Sequence, residues 1–207
     1  MAVPKKLREI TKYLKGGKIK LSASYKDGRI NSSLNEDEVL KIIANRFAID
    51  IPKSRSWYDF TFTENKIFYP VNIKVTDTTH NDNLNCKLGI YYCLTGKLPD
   101  FPNEVSWEKY FKSLKENLKK NKKDYYFLIV NKQNNQDIFI NSLKGLSAIQ
   151  PNGNNLPFQC SWGRNRKIKN KDFKAMVDFI MGTFGKSIGL RAEIYFNFKK
   201  YFSQYAD

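Results

Sequence analysis

The residues best suited to chemistry lie in two predicted strands joined by a polar turn. Trp57 to Thr63 alternates between apolar and polar side chains, and the second strand runs from Ile67 to Thr76. Side chains alternate between the two faces of a strand, so Asn72 and Lys74 share a face and Asp59 can meet them across the hairpin. A carboxylate, an amide oxygen and an ammonium suit phosphodiester hydrolysis, because the oxygens bind Mg²⁺ and the cation lies beside the attacking water.

Each of these three residues also has an ordinary structural interpretation. Asp59 could accept a hydrogen bond from a nearby turn, and Asn72 could face solvent. Lys74 is one of many lysines in the chain. The grouping of the three between two apolar strands is what favours the functional interpretation.

The segments before the hairpin are predicted to be two helices with a second hairpin between them. The first helix spans Leu7 to Leu14 and ends at Gly16-Gly17. The hairpin pairs Lys18 to Tyr25 with Arg29 to Asn31. The second helix begins at a capping box, either Ser33-x-x-Glu36 or Asn35-x-x-Glu38, and its apolar stripe is formed by Val39, Leu40, Ile43 and Phe47.

The remainder of the chain is predicted to complete a mixed sheet flanked by helices. Tyr125 to Asn131 is the most apolar run and predicts a central strand, paired with Asp137 to Asn141. The flanking helical or mixed segments are Leu84 to Leu94, Trp107 to Leu118, Asp172 to Phe184 and Ile188 to Tyr205. With no internal repeat and no linker, this order predicts an α/β or α+β fold in a single domain over residues 1–207.

Composition restricts the class of function. The 207 residues carry 36 Lys plus Arg against 20 Asp plus Glu, a net charge of +16, which favours a polyanionic partner, with nucleic acid ahead of an anionic membrane. Three cysteines without CxxC spacing and a single histidine argue against a disulfide scaffold and a zinc site. No stretch is typical of a transmembrane helix or a signal peptide, so we expect no membrane partner and a cytoplasmic location.

Four stretches resemble the PD-(D/E)xK nuclease superfamily, specifically type II restriction endonucleases of the EcoRV kind. They are the stretch Lys26 to Ile30 with the helix after it, the loop and strand Pro52 to Thr61, the strand Val71 to Thr76, and Leu88-Gly89. The resemblance covers about the first 95 residues. It implies a restriction-endonuclease-like core and Mg²⁺-dependent cleavage of double-stranded DNA, at a palindromic site within a restriction-modification system. It also implies a homodimer, for which residues 1–31 are the expected dimerisation element.

The resemblance also assigns roles to individual residues. It implies metal ligands at Asp59, Asn72 and Ile73, with Lys74 as a catalytic residue. The chain departs from the family motif at two positions: Tyr58 replaces its proline, and Asn72 replaces its second acid. Asparagine is nearly isosteric with aspartate, so Asn72 is either a natural variant or an inactivating substitution.

A carboxylate from the second helix could replace the missing acid. Glu36 lies in line with Leu40 and Ile43 and is expected to point towards the core, whereas Glu38 shares a face with Asn45. In its place on the helix Glu38 is similar to the active-site glutamate of EcoRV-like enzymes, so we assign it to the catalytic set. Capping and compensation of the helix dipole are the alternative roles of both glutamates, and the choice between Glu36, Glu38 and Asn45 stays open.

Two segments are candidates for contacts with DNA. The first is the loop before Asp59, which contains Arg55 and Ser56. The second is the charge-free stretch from Gly145 to Gly163 together with the arginines that follow it, and its candidate residues are Asn152, Asn154, Asn155, Gln159, Arg164 and Arg166. A long polar surface loop is the alternative interpretation of the second segment.

These patterns leave two main functions open. The first is a type II restriction endonuclease that uses Mg²⁺. The second is a non-catalytic nucleic-acid-binding protein with a degenerate nuclease fold, and Asn72 is the residue that favours it. A membrane-surface protein is a third possibility, for which only the Trp107 to Leu118 helix has a suitable amphipathic pattern.

Overall fold

The fold is a mixed α+β arrangement built on a four-stranded sheet. The computed structural model describes residues 3–17, 19, 28–53, 56–101 and 106–206. Its helices within these ranges are α1 (Lys5–Gly16), α2 (Gly28–Ala44), α3 (Lys87–Thr95), α4 (Trp107–Asn117) and α5 (Phe173–Tyr201). Its strands are β1 (Phe60–Glu64), β2 (Ile67–Thr76), β3 (Asn81–Leu84), β4 (Tyr126–Asn131), β5 (Asn134–Ser142) and β6 (Phe158–Ser161).

The main sheet has the strand order β1-β2-β4-β5, and β3 pairs with β6 in a separate two-stranded ribbon. β2 is antiparallel to β1 and parallel to β4, while β4 and β5 form an antiparallel pair. The predicted mixed sheet, with Tyr125 to Asn131 as an inner strand, is therefore confirmed. Asn72 pairs with Phe127 and Lys74 with Ile129, so the two polar residues of β2 lie on the same face as two core side chains of β4.

Each face of the main sheet is covered by its own apolar core. On one face, Ile73 and Leu128 pack with the buried stripe of α1 and with Val39 and Ile43 of α2. On the other face, Phe127 and Ile129 pack with α3, α4, α5 and the β3-β6 ribbon. The second core also holds the three cysteines, which are all buried: Cys86, Cys93 and Cys160.

β2 runs without interruption through Pro70, although proline is rare inside strands. Pro70 faces Thr61 of β1, whose backbone N–H and C=O both bond to Asp50 and so point away from β2. The proline nitrogen is thus directed to the other side, where β4 begins only opposite Val71. No ladder hydrogen bond is lost, which explains why the strand tolerates the proline.

The start of α2 differs from the prediction. The helix already includes Gly28, so the expected return strand Arg29 to Asn31 is wrong, and Ser33 and Asn35 lie inside the helix instead of capping it. The other half of that hairpin, Lys18 to Tyr25, falls almost entirely outside the described residues. Asn35 is buried in line with Val39 and Ile43, so the inward face of the helix extends beyond its apolar residues. This packing outweighs the local signals for a helix cap.

The last two predicted helices form one continuous helix, α5. It is capped by Asp172, whose side chain accepts a hydrogen bond from the backbone N–H of Ala175 at 2.8 Å. The first half is anchored in the core by Met176, Ile180 and Phe184. Helical glycines cost stability without breaking the hydrogen-bond ladder, so the helix continues through Gly185 and Gly189. Within the described residues, no helix combines the length and apolar character needed to span a membrane.

The close contact between α3 and the aromatic ring of Tyr125 gives a test of the core. A Cβ added at Gly89 would lie 2.8 Å from Cγ of Tyr125, so Gly89→Ala should displace that ring. We expect a loss of ~1–3 kcal/mol in the free energy of unfolding, the usual cost of overpacking, measured by urea denaturation. Gly182→Ala is the matched control, because open space surrounds Gly182 in α5 and alanine there should stabilise the protein slightly. Equal effects of the two substitutions would contradict the tight packing at Gly89.

Candidate active site

Asp59 and Asn72 contact each other directly at the start of the β1-β2 hairpin. The Asp59 backbone N–H donates to the carbonyl oxygen of Val71 at 2.9 Å, which fixes the residue just before β1. Asp59 Oδ2 then accepts two hydrogen bonds, from Asn72 Nδ2 at 2.8 Å and from the Ile73 backbone N–H at 2.6 Å. The structure thus brings together Asp59, Asn72 and Ile73, the three residues expected to ligate a metal.

Lys74 lies two residues beyond Asn72 on the same face of β2 and meets a carboxylate from α2. Its Nζ atom is 3.8 Å from Oε1 of Glu36, and both side chains are largely buried. Glu36 points inward, as its position on the apolar stripe predicted, but what lies inward there is Lys74 at the sheet.

The position of Glu36 also bears on Glu38. Residues two apart on a helix are separated by about 200°, so Glu38 points almost opposite to Glu36. Glu38 is half-buried on α2, and Asn45 is exposed just beyond the end of the helix. The structure thus shows Glu36 as a helix carboxylate that meets Lys74, and the catalytic role assigned to Glu38 stays a prediction.

Burial and charge together set the protonation of this cluster. Burial raises the pKa of Glu36 from its ordinary 4.5 to about 7, and the Lys74 ammonium only partly offsets that effect. Burial likewise raises the pKa of Asp59, against the opposing effects of the Ile73 N–H and Lys74. For Lys74, burial lowers the pKa, but Glu36, Asp82 and Asp59 together outweigh it and hold the pKa above its ordinary 10.5. Lys74 is therefore a buried cation at neutral pH.

Asp82 is a further acid of this cluster that the sequence did not indicate. It lies on β3, and its charge acts on both Glu36 and Lys74. Asp82 Oδ2 accepts a hydrogen bond from Nε1 of Trp162 at 2.9 Å, which fixes the carboxylate. The pairing of β3 with β6 brings these two residues together across 80 positions of the chain, and no local pattern signals such a contact.

A polar cavity of about 230 Å³ opens beside Asn72 and Lys74. One wall is rigid and aromatic, because Trp57 stacks on Tyr125 with ring centroids 5.7 Å apart and the Tyr125 hydroxyl donates to the Trp57 carbonyl oxygen at 2.7 Å. Cys86 also lines the cavity, but burial raises the pKa of its thiol to about 12, so it is no nucleophile at neutral pH. The rest of the lining includes Ser56, Asn83 and Asn85.

The amide-rich loop near the cavity uses part of its polar groups internally. Asn152 Oδ1 accepts from the backbone N–H groups of Asn154 and Asn155, while its Nδ2 donates to Asn83 Oδ1 at 2.9 Å and to Gln159 Oε1 at 3.2 Å. These four bonds satisfy the whole Asn152 amide. The expectation that Asn152 reads bases is therefore corrected: it holds the loop against Asn83 at the rim of the cavity.

The other predicted DNA contacts lie in different settings. Asn154 is exposed and Asn155 half-buried on the same loop, and Gln159 lies on β6. Arg164 is exposed, whereas Arg166 forms a two-pronged ion pair with Asp137 at 2.7 and 2.6 Å and is committed to it. Ser56 lines the cavity, and Arg55 lies outside the described residues.

The available oxygen ligands are of the type that Mg²⁺ binds, but they carry little negative charge for a Mg²⁺ site. The Asp59 carboxylate and the Asn72 amide oxygen are the hard oxygen ligands that Mg²⁺ prefers, and a second carboxylate, Glu36, lies 3.8 Å from Nζ of Lys74. No cluster of three or more His, Cys, Asp or Glu residues suited to a metal occurs within the described ranges.

Comparison with known proteins does not identify a family. No family model matches the chain, and a search of curated proteins found no match. Arguments about function therefore depend on the residues and their geometry.

The raised pKa of Glu36 predicts how stability changes with pH. Because its pKa in the folded protein lies above the ordinary value, protonated Glu36 stabilises the fold fully below about pH 4.5, and this contribution is lost as the pH rises through 7. Glu36→Gln should remove this share of the decline in the free energy of unfolding, at most about 3 kcal/mol, in urea titrations from pH 4.5 to 8. Glu9→Gln, which removes an exposed carboxylate of α1, should leave the decline unchanged. The same decline in the parent and Glu36→Gln would contradict the burial-driven shift.

Proposed function

We propose that the chain is a Mg²⁺-dependent type II restriction endonuclease that cuts both strands of DNA at a palindromic site as a homodimer. The observation that carries this proposal is the grouping of Asp59 and Asn72, 2.8 Å apart, beside the buried cation Lys74 and its partner Glu36. Phosphodiester hydrolysis needs oxygen ligands, a cation and a group that can accept a proton, and the four side chains supply all three.

Asp59 and Asn72 are the residues that would hold the metal, together with Ile73, the next residue of β2 after Asn72. Mg²⁺ bound there would polarise the scissile phosphate and lower the pKa of a bound water. Asp59 is already oriented for this role, because two hydrogen bonds fix its Oδ2 atom. Rotation of the Asn72 amide by about 180° would turn its oxygen, in place of its nitrogen, towards a shared cation.

Lys74 and Glu36 have complementary roles in this proposal. Lys74 is held cationic by the surrounding carboxylates, so it can donate hydrogen bonds to phosphate oxygens as negative charge develops on them. Glu36 has a pKa of about 7, which suits a group that takes a proton from the attacking water near neutral pH. The 3.8 Å contact between them keeps both groups at one place.

The surroundings of the cavity support DNA as the substrate. A net charge of +16 attracts a polyanion, and the loop that carries Asn154 and Asn155 is tied to Asn83 at the rim of the cavity through Asn152. Exposed amides can form paired hydrogen bonds with base edges. Ser56 also contributes directly to the cavity wall.

A non-catalytic nucleic-acid-binding protein is the second candidate. It is favoured by the hydrogen bond from the Asn72 amide to Asp59, because this bond and the one from the Ile73 N–H occupy Oδ2 of the carboxylate without any metal. In an acid pair, two carboxylates at this separation would repel each other. The two candidates differ in whether DNA is cut once the acid is supplied.

Asn72→Asp is the decisive substitution. It should strengthen Mg²⁺ binding by ~2–4 kcal/mol and raise plasmid cleavage at least ~30-fold over the parent chain, because it adds a charge beside Asp59. Without Mg²⁺ the new pair should lower the melting temperature, and adding Mg²⁺ should restore it. Asn85→Asp adds the same charge elsewhere on the cavity and should do neither. Discrete bands on a gel would support a restriction enzyme, smearing an unspecific nuclease, and intact DNA from both chains the binding protein.

Lys74→Ala tests the catalytic cation in the Asn72→Asp background. Cleavage should be abolished, while specific DNA binding stays within about tenfold, because Lys74 acts mainly on charge that develops in the transition state. Lys66→Ala removes an exposed lysine from the turn between β1 and β2 and should retain cleavage. Undiminished cleavage by the Lys74→Ala chain would reject the assigned role.

Asn154→Ala and Asn155→Ala test recognition. If these amides read base edges, each substitution should cost ~1–3 kcal/mol on the preferred duplex, first selected from random sequences, and little on a scrambled one. Lys120→Ala should instead weaken both duplexes alike and reduce the salt dependence by about one ion if Lys120 touches phosphate. Binding isotherms at several salt concentrations measure both effects. Equal losses on the two duplexes for the asparagine variants would show that the loop does not read sequence.

A further inference from the structure

A second cavity, here called the lysine cavity, lies apart from the one beside Asn72 and Lys74. Its volume is about 330 Å³, which is within the usual range of small-molecule sites. The described residues that line it differ from those around Asn72 and Lys74, and they include five lysines and no acid. The lysines come from three segments of the chain: Lys120 and Lys122 before β4, Lys144 after β5, and Lys169 and Lys171 before α5.

Lys144 is a buried lysine whose direction is fixed by the loop before β4. It is only 7% exposed, and its Nζ atom donates to the carbonyl oxygen and to Oδ1 of Asn121 at 3.0 and 3.4 Å. Asn121 is itself anchored, because its Nδ2 atom donates to the carbonyl oxygens of Cys93 and Lys119 at 3.1 and 2.9 Å. An ammonium has three N–H donors, so these two bonds leave a third for a ligand in the cavity.

Lys171 is held in a similar way just before α5. Its Nζ atom donates to the carbonyl oxygens of Lys144, at 3.2 Å, and of Leu146. Burial lowers the pKa of Lys171, and the positive charge of Lys169 lowers it further, so like charges repel each other here. The salt bridges found within the described residues involve none of the five lysines. The lysine cavity therefore concentrates positive charge without an ion-paired partner for it.

Asp124 is the acid whose charge acts on Lys171. It is fully buried, and its Oδ1 atom accepts hydrogen bonds from the backbone N–H groups of Tyr125 and Lys144 at 2.8 and 3.2 Å. Asp124 supplies at most a single negative charge against the five lysines of the cavity. An anion bound in the cavity would relieve the remaining repulsion between them.

The apolar part of the lining restricts the kind of anion that fits. It is formed by Ile168, Phe173 and Met176. Lysines suit phosphate groups, which they bind as point charges, and aromatic side chains suit the flat faces of bases. A nucleotide carries both a phosphate and a base, so it matches both parts of the lining. Inorganic phosphate matches only the lysines.

We infer that the lysine cavity binds a nucleotide, with its phosphate on the lysines and its base against Phe173 and Met176. The nucleotide is either free or part of a nucleic-acid strand, because both sources offer the same groups. A neighbouring hollow that contains Arg164 and Lys167 also includes Lys169, so a strand has a basic surface on which to continue. The inference does not rest on nuclease activity.

Calorimetry of the full-length chain without Mg²⁺ tests the ligand, with AMP, adenosine, inorganic phosphate and a single-stranded oligothymidylate as probes. AMP should bind once per chain with a dissociation constant below about 1 mM. Adenosine lacks the phosphate and inorganic phosphate lacks the base, so each should bind at least about tenfold more weakly than AMP. Phosphate bound as tightly as AMP would overturn the inference.

The oligothymidylate distinguishes the two sources of the nucleotide. Binding of AMP identifies a free nucleotide as sufficient, whereas binding of the oligothymidylate without AMP identifies a strand. Absence of binding for both probes would overturn the inference.

Lys122→Ala combined with Lys169→Ala locates the binding. Both side chains are exposed, so the melting temperature should stay unchanged while affinity for the bound probe falls about tenfold. Lys112→Ala combined with Lys132→Ala is the matched control, since it removes the same charge from exposed lysines outside the lining and should keep the parent affinity. Equal losses in the two double variants would show that net charge attracts the probe, and would overturn the assignment to the lysine cavity.

Discussion

The candidate site depends on the Asp59 carboxylate that bonds back onto β2. Just before β1 begins, the Asp59 backbone N–H donates a hydrogen bond to the Val71 carbonyl oxygen of β2. The next backbone donor along β2, the N–H of Ile73, bonds instead to the Asp59 side chain. A side chain thus replaces the backbone ladder at this point, so the carboxylate lies over the strand at the level of Asn72. The direction of Lys74 follows from the pleat of the same strand. One short contact therefore sets the position of the candidate site.

Around that contact, groups of opposite charge lie close together and are largely buried from solvent. Lys74 lies among three acids, Glu36, Asp59 and Asp82, and stays cationic although burial opposes it. Glu36 is the acid that becomes neutral, since its raised pKa keeps the carboxyl protonated up to about pH 7. Asp82 is tied to Trp162 and hence to the β3-β6 ribbon. Glu36 comes from α2, Asp59 from the residue just before β1 and Asp82 from β3, so the electrostatics of the site depend on the packing of three separate segments.

The sequence predicted what depends on local periodicity and missed what depends on long-range packing. The alternation in β2 placed Asn72 and Lys74 on one face, and the apolar run at β4 predicted the inner strand of the mixed sheet. Glu36 was judged by its apolar neighbours on α2, although the polar group that it meets belongs to another element. Asp82 gave no signal, because only the pairing of β3 with β6 brings it close. The amide-rich stretch was interpreted by composition, which does not distinguish amides that bind a ligand from those that, like Asn152, bond to their own loop.

Because all three thiols are buried, their reaction with an added reagent reports when the fold opens. Cys86, Cys93 and Cys160 belong to the core on the face of the sheet that carries the site. Burial raises the pKa of each thiol, and the thiolate is the form that reacts. The folded protein therefore does not react with alkylating reagents while its core stays closed. Every labelling event therefore records a moment at which this core admitted solvent. Cys86 lines the cavity, so the order in which the three thiols react distinguishes breathing at the cavity from global unfolding.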